Sequence, residues 1–209
     1  SHNSASLALA RIKSVLACEG FGCDILYLDH ELEAVLGEEL AFDFTGARDS
    51  YWLMELLYAA ELFPDYLDRD TFSRRALALI RGKDLPASLP SPLSLLDAFH
   101  DFNQRILQRW QKSFPYDAVG ISCNYNLMPA LYFASYIKAM RPEVQIILGG
   151  GQVSGEVGKA ILRTFPFVDW VVHGEGEIPA LKIMNLVGKT FTEVPPNCSH
   201  RRGSEILYS

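Results

Sequence analysis

The chain has 209 residues, 49% of them hydrophobic and 21% charged, which is apolar material for a real core and a length that fits one domain, or one domain with an insertion. Its 19 basic residues against 25 acidic ones give a net charge of −6, and basic residues gather only in short pairs such as Arg74-Arg75 and Arg201-Arg202, so no nucleic-acid partner is expected. No apolar run approaches the roughly 18 residues that cross a bilayer, and the start "SHNSASLALARIKSVLACEG" lacks the basic-then-apolar layout of a signal segment, so no membrane partner is expected.

From the amino end, "SLALARIKSVLACEG" reads as a helix ending at Gly20, followed by a strand, "DILYL", over residues 24 to 28. An α/β unit of this kind normally begins with a strand, so a leading strand is expected before the helix and the chain reads as a fragment. Residues 30 to 116 are far too many for a crossover and read as an inserted helical subdomain. Within it "ELEAVLGEEL", "SYWLMELLYAAELF", "DTFSRRALALI" and "PLSLLDAFHDFNQRILQRWQKSF" have helical periodicity, with "RGKDLPASLPSP" as a separator. The aromatics Trp52, Tyr58, Phe63, Phe99 and Trp110 are assigned to packing.

Three further apolar runs, "AVGIS" (118 to 122), "VQIILG" (144 to 149) and "WVVH" (170 to 173), lack polar alternation, as expected of strands covered on both faces. Helices join them: "PALYFASYIKAMRP", with Pro129 in its first turn and Pro142 at its stop, then "GEVGKAILRTFP", and finally "IPALKIMNLV". The order β-α-β-α-β-α predicts a doubly wound parallel sheet formed by residues 1–29 and 117–188. Residues 189–209, with a Pro-Pro and no period, read as a linker or tail. The four cysteines, at 18, 23, 123 and 198, show no CxxC pair and no zinc spacing, and read as buried, reduced thiols of a cytoplasmic protein.

Ligands of parallel sheets sit at the carboxyl ends of the strands, where the strand order reverses. Three corners stand there: "GISCNYN", "LGGGQVSGE" and "HGEGE". The glycines at 149 to 151 do not complete a dinucleotide fingerprint, because Ser154 occupies the third glycine position and Asp169, at the usual distance, opens the next strand instead of closing it. Corners of small, mostly uncharged residues fit a bulky ligand that lies against bare backbone.

Together "YDAVGISCNYN", "ASYIKAMRPEVQIILGGGQVSGEVG" and "FPFVDWVVHGEGE" resemble the cobalamin-binding N-terminal domain of cobalamin-dependent radical SAM enzymes, and most closely the branch that matures ribosomally made peptides. The resemblance runs from residue 5 to about 187 and includes the helical insertion. It implies a flavodoxin-like cobalamin-binding domain. Ser122 falls on the serine that holds the cofactor's nucleotide tail, Gly149 and Gly150 on the Gly-Gly along which that tail slides, and Gly174 and Glu175 on the last corner. With Asn124 and Gln152 these are the expected cofactor-binding positions. Asn124 stands where related domains carry leucine. The Asp-x-His-x-x-Gly motif that supplies a histidine below cobalt is absent, so the expected cobalamin is base-off with no protein histidine ligand. The class also needs CxxxCxxC for a 4Fe-4S cluster that cleaves S-adenosylmethionine. None of the four cysteines is so spaced, so cluster and S-adenosylmethionine are expected only in another part of the enzyme, and this chain is not expected to be catalytic alone. The expected partners are thus cobalamin, a radical SAM domain and a peptide precursor, with C-methylation as the expected reaction. The alternatives are a non-enzymatic corrinoid carrier or cobalamin sensor, and a degenerate domain that serves peptide or protein contacts. Glu177 is expected mainly to cap the helix that follows it.

Overall fold

The computed structural model describes residues 6–36, 51–81 and 89–209. They fall into two compact units: residues 27–114 form one, and residues up to 26 together with 115–209 form the other. Residues 37–40 of the helix expected over 31 to 40, and 82–88 of the separator, lie outside the described residues.

The first unit is helical. It is built from α2 (Leu28–Leu36), α3 (Tyr51–Leu62), α4 (Arg69–Ile80) and α5 (Pro92–Lys112). Local chemistry sets the helix starts. The Asp68 carboxylate accepts from the Thr71 N–H at 2.7 Å, and the Ser91 hydroxyl accepts from Ser94 at 3.2 Å with Pro92 in the first turn. On α5 the side chains of Leu95, Phe99, Phe102, Ile106 and Trp110 recur at helical spacing and are buried, with Leu57, Phe72 and Ala76 also in the core. Tyr58 and Phe99 meet edge to face at 5.9 Å, and the Tyr58 hydroxyl donates to Asn103 Oδ1 at 3.0 Å, which satisfies a phenol that burial would otherwise penalise. Trp52 departs from the packing expectation: it is 54% exposed, because it lies off the face of α3 that carries Leu53, Leu57 and Tyr58.

The second unit is α/β. Helix α1 (Leu7–Cys18) is capped by Ser6, whose hydroxyl accepts from the Leu9 N–H, and Gly20 takes φ 83° just past its end. Strands β1 (Ala118–Ser122), β2 (Gln145–Gly149) and β3 (Trp170–Val172) run parallel, with Ser122 level with Gly149 and Leu148 with Val171. They are linked by α6 (Leu127–Met140) and α7 (Glu156–Thr164), and α8 (Glu177–Met184) follows β3. Then β4 (Cys198–Arg202) and β5 (Glu205–Tyr208) add antiparallel to β3, joined by a turn in which Gly203 has φ 59°.

Three expectations are corrected. The sheet is mixed, in the order β1-β2-β3-β4-β5, so it is not wholly parallel, and its order does not reverse among the described strands. Residues 198–208, expected to lack regular structure, form two of its strands. Their polar letters conceal this because the neighbours supply partners: His200 Nδ1 lies 3.1 Å from the Asp169 carbonyl while its ring stacks 4.0 Å from Trp170, and Ser199 lies within hydrogen-bond distance of His173. Residues 24 to 28 form no strand, and Leu28 already begins α2. A strand exists by pairing, and among the described strands β1 has β2 as its neighbour on one side alone. The strand-like alternation persists in residues 21–26, where Phe21, Cys23 and Ile25 are half-buried and Gly22, Asp24 and Leu26 are exposed. The Tyr116 hydroxyl donates to the Asp24 carboxylate at 3.1 Å and ties this segment to the residues leading into β1.

At the amino end of the sheet the Asp169 carboxylate is engaged through one oxygen. Its Oδ2 accepts from Lys138 Nζ and from the Ile146 N–H, both at 2.7 Å, and Lys138 also donates to the Val144 carbonyl at 2.8 Å. The carboxylate that spacing alone offered to a dinucleotide ribose is thus a structural clamp between α6, β2 and β3.

Candidate functional site at the strand ends

The loop after β1 runs Cys123-Asn124-Tyr125-Asn126 into α6, and the loop after β2 runs from Gly150 through a short 3-10 turn, Gly151–Val153. Hydrogen bonds weld the two. Asn124 Oδ1 accepts from the Gly151 N–H at 3.0 Å, Gln152 Oε1 accepts from the Asn126 N–H at 3.1 Å, and the Gln152 N–H donates to the Cys123 carbonyl at 3.2 Å. Within the first loop, Asn124 Nδ2 donates to Ser122 Oγ at 3.3 Å, and Asn126 reaches back on both sides, accepting from the Asn124 N–H at 2.7 Å and donating to the Ser122 carbonyl at 3.0 Å. Ser122, Asn124 and Gln152, expected separately as site residues, therefore stand in one cluster.

Gly149 and Gly150 differ in the reason for being glycine. Gly150 has φ 104°, and a Cβ there would lie 2.7 Å from the Cys123 carbonyl oxygen and 3.0 Å from its nitrogen. Backbone packing alone forbids a side chain. At Gly149 a Cβ would meet only Val172 Cβ at 3.7 Å, an ordinary contact, so nothing inside the chain demands glycine.

The third corner is held differently. His173 Nδ1 accepts from the Gly155 N–H at 3.1 Å, which leaves the proton on Nε2, 2.8 Å from Ser199 Oγ. Burial, with Lys159 adding to it, lowers the imidazole below its ordinary value and keeps it neutral. Gly158 on α7 gives this histidine room: a Cβ there would strike the Val153 carbonyl and come within 3.1 Å of His173 Cε1. Gly174 follows at φ 83°, exposed and with open space around it, and Glu175 is exposed beside it. Glu177, in the first turn of α8, also pairs with Arg11 of α1 at 2.8 Å, so its role extends beyond the helix start. Gly174 and Glu175 stand at the end of the next strand, β3, and not in the Asn124–Gln152 cluster.

Chemically, the cluster offers a hydroxyl, three carboxamides and bare backbone, with no formal charge. Such a donor and acceptor set fits the carboxamide fringe of a corrinoid, and it has nothing to neutralise a phosphate as a basic cradle would. Among the described residues no group of three or more His, Cys, Asp or Glu could hold a metal ion, and no helix is long and apolar enough to cross a membrane. None of the four cysteines is in a disulfide, but they are not uniformly buried as expected: Cys123 and Cys198 are, with burial pushing the Cys198 thiol up to about 12, whereas Cys18 is exposed and Cys23 half-buried.

Asn126, Tyr125 and His173 were not among the expected site residues. "NYN" carried a signal for the first two, since a second asparagine two positions on can bond the turn that the first one opens. A separate hollow of about 540 Å³, lined by Thr192, Val194 and Ile206 to Ser209, lies along β5, away from these corners in the sheet order. No protein-family model matches the chain, and no curated protein matches it.

Proposed function

We propose that the chain is the cobalamin-binding module, flavodoxin-like in its arrangement, of a radical SAM enzyme that C-methylates a peptide precursor in the cytoplasm. The observation that carries the reading is the neutral cluster at the carboxyl ends of β1 and β2, where Ser122, Asn124 and Gln152 come together with Gly149 open beside them. When bound, cobalamin supplies a cobalt centre able to carry a methyl group; the 4Fe-4S cluster and the S-adenosylmethionine chemistry belong to a domain carrying CxxxCxxC, a motif this sequence lacks.

The chain's own residues bind and orient. Ser122 and the carboxamides of Asn124 and Gln152 meet the ligand's amides, and Gly149 lets it lie against the backbone. Both ring nitrogens of His173 are engaged, and His200 is stacked on Trp170 with Nδ1 at the Asp169 carbonyl, which supports cobalamin held without a protein histidine. Mixing the chain with hydroxocobalamin, desalting and recording the visible spectrum tests this. The expected result is retained corrinoid with a base-off spectrum that no single His→Ala change alters; a colourless protein overturns the proposal. A second reading, a domain whose corners serve only its own packing, is favoured by the extent to which the cluster's groups satisfy one another, and the colourless outcome would establish it.

A further inference from the structure

Asn126 stands at the N-cap of α6 yet makes no side-chain bond to that helix. Its carboxamide is spent on the turn before it, on the Asn124 N–H and the Ser122 carbonyl, while its own N–H goes to Gln152 across the loops. A residue type that ordinarily satisfies a helix's first N–H groups is here holding a loop. Between two residues clamped in this way lies Tyr125, at φ 70° and 69% exposed. The left-handed region is costly for an aromatic residue, and persists only where the surroundings over-determine it. Asn124 on one side is fixed by Gly151 and Asn126, and Asn126 on the other by Gln152. The clamp therefore turns an aromatic side chain outward from the same turn that carries Ser122 and Asn124.

We infer that Tyr125 is a ligand-contacting residue of the corrinoid site and that Asn126 is the positioning residue that presents it. The inference rests on the cobalamin reading above. Tyr125 supplies a flat apolar face for the macrocycle's rim and a hydroxyl for its amides; Asn126 and Gln152 preform the turn so that the ring is in place before the ligand arrives.

The test compares the unaltered chain with Tyr125→Phe, Tyr125→Ala, Tyr125→Gly and Asn126→Ser, using hydroxocobalamin as the probe and reading affinity, melting temperature and amide exchange. Tyr125→Phe should bind within about threefold of the unaltered chain, and Tyr125→Ala should bind at least about tenfold more weakly. Tyr125→Gly should melt higher, since glycine accepts φ 70° without strain, and still bind weakly. Asn126→Ser can cap α6, so it should melt no lower, while exchange at residues 124, 151 and 152 quickens and affinity falls about tenfold. Equal binding by Tyr125→Ala, with the unaltered chain binding well, overturns this inference and leaves the cobalamin reading standing. Parallel loss of melting temperature and affinity in Asn126→Ser overturns the positioning role. An unaltered chain that retains no corrinoid overturns both the inference and the reading beneath it.

Discussion

Replacing Gly149 and Gly150 one at a time by alanine separates the packing of the strand-end loops from their room for a ligand. At Gly150, φ 104° and ψ 171° lie in a region practically reserved for glycine, at a cost of about 1–3 kcal/mol for any other residue. The new methyl would also sit 2.7 Å from the Cys123 carbonyl oxygen. That oxygen cannot swing aside, because it accepts from the Gln152 N–H while the Cys123 N–H donates to the Gly149 carbonyl at 2.7 Å. Forced overpacking of this kind adds about 1–3 kcal/mol. Taking about 3 kcal/mol in all, Gly150→Ala should lower the melting temperature by about 6–12 °C, at about 2–4 °C per kcal/mol for a chain of this size. Gly149→Ala meets only an ordinary contact and no positive φ, and should be neutral or stabilising by about 0.4–1 kcal/mol. Circular-dichroism melts of both variants decide the matter. A Gly150→Ala melt within about 2 °C of the unaltered chain, or a Gly149→Ala variant equally damaged, would refute the reasoning. The pair has a further use: since Gly149→Ala leaves the fold intact, any loss of hydroxocobalamin binding in it reports the ligand's space.

Other outcomes follow from the same structure. His173 and His200 are both held below the ordinary histidine value by burial, so the unfolded chain binds protons more readily than the folded one. Stability should be fully present above about pH 6.5 and fall as pH drops below it toward the folded-state values. Urea midpoints at about pH 7.5 and about pH 5.5 measure the drop, which should shrink in His173→Gln; an unchanged drop would remove His173 from the account. Asp169→Ala strands the Lys138 ammonium and the Ile146 N–H. With both partners of the pair more than four-fifths covered, it should cost about 3 kcal/mol, seen as a melt lowered by about 6–12 °C.

Much of the architecture is legible in the residues. The prolines at 129 and 142 that bound one helix, the apolar stripe of "PLSLLDAFHDFNQRILQRWQK" and the unbroken apolar runs of β1, β2 and β3 are local signals, and local signals survive reading one residue at a time. The corners after those strands are legible for the same reason, since small residues closing an apolar run mark a turn wherever they occur. Residues 24 to 28 and 198 to 208 fail in opposite directions. "DILYL" has every strand propensity but no ladder, whereas "CSHRR" has little propensity and is a sheet strand, with Trp170, Asp169 and His173 accommodating its polar groups. Pairing is a property of two segments, and composition describes only one. The same limit separates Gly149 from Gly150, which are indistinguishable as letters, and conceals Asn126, whose bonds reach forward to Gln152 and back to Ser122. Local stereochemistry is written along the chain; which groups meet across it is decided only when the chain has folded.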